Sequence, residues 1–428
     1  MVILSATACG SFRKQQTYIV YGRTNIRRMK IAVVSSGHIP SRWAHSITTM
    51  KMADAFYQLG HKVEVLTVER FLEWKNKLKI NDIYSFYGIS RGIKVNYFRD
   101  NALFYFKEVR PLNIIPKVLE RLLNERIKYY YNDPEARISR YCRESGVDLC
   151  YCRTYRTVFY NVSNKVPTVV ETITTHVRNR DFQKIIEASR SRYFKCLLTI
   201  SEGLKEKYVG AGVPENKVLV VEPGVRLEDF QNLPPKIKIR KMLGIPKGKK
   251  VVVYSGSLFP NKGIEDILLT AKRVPKALFI LVGGNDVWRR KWEEYARRHK
   301  IGNVRFIGFV ENRYVPLYLK ASDALIMPYR ITTKQEEILL KPPLKLFEYM
   351  AAERPIVSTN IPTIARIITH GVEGLLAEPN NINQLAEFVN KVLEDEGLAR
   401  RLASNAYRKS LRYDWKERVR RVLNFCGA

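Results

Sequence analysis

Cysteine and long apolar runs are both scarce in this chain of 428 residues. The six cysteines are scattered, whereas a zinc site needs clustered Cys or His ligands, so we expect no metal and reduced, mostly buried thiols. No apolar run approaches the ~20 residues that a membrane-spanning helix requires, and residues 1–10 are too short and poorly flanked for a secretory signal. These absences predict a globular cytoplasmic protein.

Acidic side chains are also scarce, since 41 Asp and Glu face 74 Lys and Arg, a formal net charge of +33. A field of this sign attracts phosphorylated ligands, anionic membrane or nucleic acid. The cations are spread along the whole chain, and no zinc-finger, RRM-like or KH-like pattern accompanies them. We therefore expect no specific nucleic-acid partner.

Residues 103–131 interleave aromatic and aliphatic side chains with Lys and Arg. This composition is typical of a basic amphipathic helix on anionic lipid, which would hold the protein peripherally on the inner face of the cell membrane. A helix with a core-facing apolar stripe and a solvated basic face explains the same pattern. An anionic membrane surface is thus one of two open interpretations.

Apolar runs alternate with amphipathic stretches in two series, the pattern of βα units on parallel sheets. We predict an α/β fold of two Rossmann-like, doubly wound domains facing a central cleft. The main predicted strands are 31–35, 63–67, 93–98, 149–152, 168–171 and 197–200, then 251–255, 278–282, 304–307, 324–327 and 356–358. The predicted helices of the second series include 264–273 and 344–353. The predicted divisions are a poorly defined extension at 1–28, a first domain at 29–230, a second at 231–411, and a terminal helix at 412–428 that packs back on the first.

The segment KPPLKLFEYMAAERPIVST, at residues 341–359, predicts a proline-opened helix followed by a β-rich run. Pro343 suits the first helical turn, and the N–H groups of Leu344 and Lys345 would point out of the helix end. Those donors, the helix dipole and the Lys345 ammonium together make a seat for a phosphate. Glu348 lies about one turn deeper, where a carboxylate could hold a pair of sugar hydroxyls.

Upstream, the residues SGS at 255–257 and KG at 262–263 flank a predicted turn from strand to helix. Together with the helix that carries Glu348, they predict a nucleotide diphosphate site. A helix with a solvated Glu348 and an otherwise ordinary apolar core is the structural alternative.

Weak motifs follow one another in a recognisable order along the chain. They lie at 41–65 (ending LGHKVEV), 199–205 (TISEGLK), 220–225 (VVEPGV), 256–263 (GSLFPNKG), 281–284 (LVGG), 304–308 (VRFIG) and 370–376 (HGVEGLL). In this order the chain resembles the retaining glycosyltransferases of family 4, which have the GT-B fold, over nearly everything from residue 29 on. The resemblance implies transfer of a hexose-type sugar from a nucleotide diphosphate sugar to a glycan or lipid-linked acceptor, with retained configuration, in cell-surface polysaccharide or glycoconjugate synthesis. It implies no metal and no cofactor besides the donor substrate.

The resemblance also implies roles for the residues of the donor site. Lys262 would hold the donor diphosphate, and Glu348 would hold the ribose. The N–H groups of Leu344 and Lys345 would meet the distal phosphate. A departing diphosphate needs fixed positive charge more than a proton donor, so these roles make chemical sense.

Other positions are assigned by the same resemblance to the nucleobase and to the acceptor. The backbone of Gly308 and Phe309 would receive the base, and Gly37 would belong to a loop that closes over sugar and acceptor. His38 and Trp43, in the same loop, either contact the acceptor or belong to a packed surface loop.

His176 could contact the transferred sugar from the first domain, although a lone loop histidine is more often an ordinary hydrogen-bonded residue.

Two positions depart from the family pattern. Ser257 stands where the family usually has an arginine on the phosphate, and Lys345 is a candidate to replace that charge. Leu340 stands where the first acid of an E-x7-E pair is usual, which leaves open how the transferred sugar is held.

Two rival functions fit parts of the sequence. A GT-B nucleotide-sugar epimerase would need inward carboxylates around the sugar, and the apolar Leu340 counts against it. A non-catalytic nucleic-acid or membrane binding protein on a transferase scaffold would explain the +33 charge and Ser257. Lys262 and Glu348 in matching contexts favour the active transferase.

Overall fold

Parallel strands and their crossover helices account for most of the described structure. A computed structural model describes residues 27–35, 37–69, 80–99, 133–330 and 339–427. Its strands are β1 Lys30–Val34, β2 Lys62–Glu69, β3 Lys94–Arg99, β4 Leu149–Cys152, β5 Thr168–Glu171, β6 Phe194–Thr199, β7 Val218–Val220, β8 Lys250–Ser255, β9 Ala277–Val282, β10 Val304–Gly308, β11 Ala324–Met327, β12 Ile356–Thr359 and β13 Leu375–Ala377. Its α-helices are α1 Ala44–Gln58, α2 Ile83–Tyr87, α3 Pro134–Glu144, α4 Tyr155–Ser163, α5 Arg180–Ser189, α6 Glu202–Gly210, α7 Lys236–Met242, α8 Ile264–Arg273, α9 Asp286–Arg298, α10 Val315–Ala321, α11 Leu344–Ala351, α12 Pro362–Ala365, α13 Ile382–Glu394, α14 Glu396–Ser410 and α15 Trp415–Cys426.

The strands form two separate parallel sheets, which confirms the predicted fold class. The first has seven strands in the order β3-β2-β1-β4-β5-β6-β7, and the second has six in the order β10-β9-β8-β11-β12-β13. We call the parts built on them the N-terminal half and the C-terminal half. In each sheet the order reverses beside the first strand, at β1/β4 and at β8/β11. The loops that follow β1 and β8 therefore lie at the switch points, where ligands bind in such folds.

The strands are apolar on both faces because helices cover both sides of each sheet. In β4, for example, Cys150 and Cys152 pack on one side of the sheet and Tyr151 packs on the other. The described cysteines are free thiols, and all but the half-buried Cys426 are buried, as predicted.

Helix α15 brings the end of the chain back to the N-terminal half. Trp415, Val419 and Val422 join the core that contains Ile31 of β1 and Phe56 of α1. The divisions at 1–28, 29–230 and 231–411 themselves remain predictions, and residues 1–26 and 103–131 lie outside the described residues.

Several element boundaries differ from prediction for identifiable reasons. Strands β7 and β13 were not predicted, because three residues are too few to show a period. Helix α11 ends at Ala351, short of the predicted 353. Glu353 adopts a positive φ of 54°, and Pro355 follows closely, so the helix cannot continue. No described helix is long and apolar enough to cross a membrane.

Candidate donor site

The loop after β8 contains the Lys262 of the predicted phosphate site. It runs through Gly256, whose φ is +135°, to the 3-10 helix Pro260–Lys262. Lys262 therefore stands just before the first turn of α8, and its Nζ lies 5.5 Å from the ring centroid of Tyr329. The Ser257 carbonyl accepts a hydrogen bond from the Tyr254 hydroxyl at 2.7 Å, which fixes the loop to its own strand.

Lys345, in the first turn of α11, reaches into this same loop. Its Nζ lies 3.8 Å from the ring centroid of Tyr254, and a Cβ on Gly256 would come within 2.7 Å of it. Among the described residues no hydrogen-bond acceptor contacts this buried Nζ. Burial, and secondly the charge of Lys262, hold the pKa of Lys345 well below its usual range. Two ammonium groups are thus brought together at a helix N-terminus.

This arrangement is unfavourable without a bound anion. A buried ammonium that lacks a partner loses its hydration without compensation. A phosphate group would supply acceptors for Nζ of Lys345 and would screen it from Lys262. Helix α11 begins at Leu344 after Pro343, so the first N–H groups of the helix also point out of this helix end.

Glu348, one turn further along α11, lines a cavity beside this cation pair. The cavity is also lined by Leu344, by Lys51 from α1, and by Asp229 and Arg226. Burial raises the pKa of Glu348 to about 7, Lys51 and Lys345 act to lower it, and Asp229 acts to raise it further. The carboxylate is therefore held close to its protonation midpoint at neutral pH, where hydroxyl donors would favour its charged form.

Gly308 and Phe309 lie at the boundary between the halves. Gly308 ends β10 with a φ of +80°, and the following Phe309 ring is 37% exposed. That ring stacks against Phe86 of α2 with centroids 6.1 Å apart, and the Arg42 guanidinium lies 4.1 Å from its centroid. The predicted base-binding segment is therefore in contact with the N-terminal half.

The loop after β1 is held by hydrogen bonds from side-chain hydroxyls to its backbone. The Gly37 carbonyl accepts from the Ser35 hydroxyl at 2.6 Å and from the Thr67 hydroxyl at 3.1 Å. A Cβ on Gly37 would come within 2.3 Å of Nε2 of His45, so a larger residue here would require the His45 ring to move.

The other two residues predicted on the acceptor side follow in the same loop. The His38 carbonyl accepts from the Ser46 hydroxyl at 3.3 Å. Trp43, directly before α1, is 59% exposed. An exposed indole beside a fixed loop is compatible with acceptor contact and with an ordinary surface position alike.

His176 is an exposed residue in the loop after β5. Its backbone N–H donates to the Thr174 hydroxyl at 3.2 Å, and its Nδ1 lies 3.5 Å from the Thr175 hydroxyl. Both partners belong to the same loop, so the contact with a transferred sugar stays a prediction.

Leu340, the apolar replacement for the usual acid, makes contacts between the halves. Its carbonyl accepts from the Ser201 hydroxyl at 2.6 Å, and its side chain packs on the N-terminal core near Leu204. Ser201 also caps α6 by accepting from the Leu204 N–H. An acidic side chain here would be placed against apolar residues, which explains why leucine is compatible with this fold.

Some site residues were missed by sequence reasoning. Lys51, Asp229 and Arg226 line the Glu348 cavity, yet they come from α1 and from the segment that connects the halves. The one available signal was Lys51 itself, a lysine between two methionines in α1. In the described part of the chain, no group of three or more His, Cys, Asp or Glu is placed to hold a metal ion.

Comparison with known proteins finds relatives among the glycosyltransferases. Residues 235–409 match the model for glycosyl transferases group 1. An uncharacterised glycosyltransferase from Methanocaldococcus jannaschii is 26% identical over 92% of this chain and 97% of its own length. The N,N'-diacetylbacillosaminyl-diphospho-undecaprenol alpha-1,3-N-acetylgalactosaminyltransferase from Campylobacter jejuni is 28% identical over 50% of this chain and 55% of its own length.

Solved structures agree on the fold. HepE from Anabaena, solved with UDP-glucose, superposes with a TM-score of 0.67 at 19% identity, covering 94% of this chain and all of that one. WaaG, a glycosyltransferase of lipopolysaccharide biosynthesis, gives 0.60 at 16% identity over 93% of this chain. The two sheets and the cleft between them define a GT-B protein. Over residues 235–409 the chain is similar to the group 1 glycosyltransferases, a family that retains the anomeric configuration of the sugar.

Proposed function

We propose that this enzyme transfers a hexose-type sugar from a nucleotide diphosphate sugar to a glycan or lipid-linked acceptor, in polysaccharide or glycoconjugate synthesis. The observation that carries the proposal is the buried ammonium of Lys345, which has no hydrogen-bond acceptor among the described residues and lies beside Lys262 at the start of α11. A diphosphate would supply acceptors for the Lys345 ammonium and would offset the positive charge of Lys345 and Lys262 together.

The chemistry follows from the same two charges. The bond between the sugar C1 and the diphosphate oxygen breaks, a bond from C1 to the acceptor oxygen forms, and the acceptor hydroxyl loses its proton. Negative charge then accumulates on the departing nucleoside diphosphate. Lys262, Lys345 and the N–H of Leu344 would stabilise that charge in the transition state without needing a proton donor.

The remaining residues have supporting roles in the proposal. Glu348 would accept hydrogen bonds from the ribose hydroxyls, and the backbone of Gly308 and Phe309 would border the base. Gly37 would shape the loop over the acceptor, and His176 would approach the transferred sugar.

Relatives support the donor and the acceptor class at low identity. HepE binds UDP-glucose, and the Campylobacter jejuni relative acts on a diphospho-undecaprenol. A Bacillus subtilis relative, 28% identical over 52% of this chain, is a putative glycosyltransferase of teichuronic acid biosynthesis. These names favour a nucleotide-sugar donor and a cell-surface product.

Thermal-shift screening against UDP-, GDP- and ADP-sugars tests the donor proposal first. A ligand that binds only the folded state raises the melting temperature by mass action. One of these donors is expected to raise it, and acceptor-dependent release of the nucleoside diphosphate should follow. A donor that is epimerised without any acceptor would instead identify the enzyme as an epimerase.

Calorimetry tests the ribose contact. The preferred nucleoside diphosphate and its deoxyribose analogue are titrated against the wild type, Glu348→Gln and the control Glu353→Gln, an exposed glutamate just past the same helix. The wild type and the control should prefer the ribose form, since a hydrogen bond to a charged group contributes roughly 1.5–3 kcal/mol. Equal binding of both nucleotides by the wild type would exclude the ribose role.

A further inference from the structure

Lys51 is a buried cation that ties the N-terminal half to the donor site. It lies on α1, is 8% exposed, and its Nζ forms an ion pair with Oδ2 of Asp229 at 2.8 Å. It also donates to the Gly88 carbonyl at 3.3 Å. Asp229 belongs to the 3-10 helix Leu227–Phe230, in the segment between the two sheets. The pair therefore joins a helix of the first sheet to the connection with the second.

The same pair borders the cavity that Glu348 lines. Lys51, Asp229, Arg226 and Glu348 are the charged groups of that cavity, and Lys345 acts on Glu348 from its own helix. Arg226 is itself balanced, because its Nε lies 3.2 Å from Oε2 of Glu228 and 3.6 Å from Oδ1 of Asp229, and its Nη1 lies 3.5 Å from Oδ2 of Asp54. The charge state of Glu348 thus depends on a cation that belongs to the other half.

Resting on the donor role of Glu348 proposed above, we propose that Lys51 is a positioning residue that keeps the Glu348 carboxylate ionised for nucleotide binding, with Asp229 as its counter-ion. Donor affinity then depends on the position of the N-terminal half, which carries Lys51, relative to α11, which carries Glu348. Loss of the Lys51 charge leaves Lys345 as the remaining cation that lowers the pKa of Glu348 against burial and Asp229. The carboxyl would then take up a proton at neutral pH and would lose its strength as an acceptor.

Opposite substitutions in the pair should have opposite effects. Lys51 lowers the pKa of Glu348 and Asp229 raises it, while burial is the largest raising influence. Lys51→Met should therefore move the Glu348 titration up by roughly one pH unit, and Asp229→Asn should move it down. Lys51→Arg should restore the wild-type midpoint. A general loss of structure would not produce shifts of opposite sign.

The titration is read from carboxyl NMR spectra of the full chain labelled in glutamate, with Glu348→Gln used to assign the signal. Lys205→Met is the matched control, because Lys205 also forms a 2.9 Å ion pair, with Glu215, but on α6 away from the cavity. An unchanged Glu348 midpoint in Lys51→Met would overturn the proposal, whatever the nucleotide result.

Binding of UDP, GDP and ADP between pH 6 and 8.5 provides the second readout. For the nucleotide that binds, Lys51→Met should weaken affinity up to about tenfold at pH 7 and much less at pH 8.5, where Glu348 is ionised anyway. In a Glu348→Gln background the Lys51 substitution should have no further effect. If the midpoint shifts but no nucleotide binds the wild type, the donor proposal fails while the electrostatic coupling stands. A pH-independent loss on Lys51→Met would show a merely structural role.

Discussion

Each half of the molecule buries a charged side chain, Glu171 in the N-terminal half and Lys345 in the C-terminal half, with opposite outcomes. Glu171, at the end of β5, pairs with Nη2 of Arg418 at 2.7 Å and Nε of Arg153 at 3.3 Å, and it accepts from the Tyr151 hydroxyl. Lys345 has no hydrogen-bond acceptor among the described residues.

The difference separates a structural charge from a ligand-binding one. Burial acts to raise the pKa of Glu171, but Arg153 and then Arg418 outweigh it, so the pKa is lowered. Burial lowers the pKa of Lys345, and Lys262 adds to that effect. A buried charge with a structural role has ion-pair partners within the protein. A buried charge that binds a ligand lacks such partners until the ligand is bound.

The largest expected effect comes from breaking the neutralised group. Arg418→Met leaves the buried Glu171 with one cation fewer, and we expect a loss of about 3–5 kcal/mol in unfolding free energy at pH 7. Arg418 also donates to the Val221 carbonyl at 2.8 Å, which the variant loses. Denaturant unfolding measures the loss.

The control and the pH dependence sharpen this prediction. Arg420→Met, on the same helix, removes only a surface pair with Glu417 and should cost less than about 1 kcal/mol. Because the folded-state pKa of Glu171 lies below its usual 4.5, its pairing stabilises above that pH and is lost as pH falls through the folded value. The difference between wild type and Arg418→Met should shrink below pH 4.5. Equal stability at pH 7 would contradict the structural role.

Lys262→Ala tests the catalytic side of the comparison. The lysine stands in a loop between strand and helix, and its charge is needed most as the diphosphate departs. Turnover should fall roughly a hundredfold or more, with the melting temperature little changed. Near-normal turnover in a folded Lys262→Ala protein would remove the central claim of the proposed function, and Lys205→Ala serves as the surface control.

Lys345→Met should show the reverse of Arg418→Met. Without ligand, the variant should be as stable as the wild type or more stable, because a buried unpaired ammonium disappears. Because the folded-state pKa of Lys345 is depressed, the lysine destabilises the folded wild type least at high pH. The stability advantage of Lys345→Met should therefore diminish as pH rises toward 10.5. Nucleoside diphosphate binding should weaken roughly tenfold to a hundredfold. A large loss of stability without ligand would show that Lys345 is structural.

The smallest effect concerns Glu348 without ligand. Its folded-state pKa of about 7 lies above the usual 4.5, so the folded state binds the extra proton and wild-type stability falls as pH rises between these values. Glu348→Gln removes this dependence and should be more stable than wild type by about 1–2 kcal/mol at pH 8, with little difference at pH 4.5. Melting curves at the two pH values suffice, and a pH-independent difference would exclude titration of Glu348 as the cause.

Long periodic elements were predictable from local pattern alone. Helix Ile264–Arg273 and the strands Leu149–Cys152 and Ala324–Met327 match the predicted bounds. Strands that are buried on both faces are continuous apolar runs, and a helix with one buried face has apolar residues at helical spacing. Both patterns are visible within a short stretch of sequence. Three-residue edge strands such as Val218–Val220 offer no such window.

The donor site was predictable where it consists of one helix and one loop. Lys345, Glu348 and Lys262 lie close in sequence to a strand end or a helix start, where phosphate-binding groups are expected. Leu340 was identified only as a departure from the family pattern. Its contact with Ser201 was not predictable, because the two residues are 139 positions apart.

The sequence by itself determined the two alternating βα series, the two switch-point loops and the cations at a helix N-terminus. Each of these features depends only on residues that are close together in the sequence. Tertiary structure decided which charges are neutralised. Arg418 reaches Glu171 across 247 positions, and Lys51 reaches Asp229 across 178. Whether a buried charge is paired depends on such distant partners, and no local pattern encodes them.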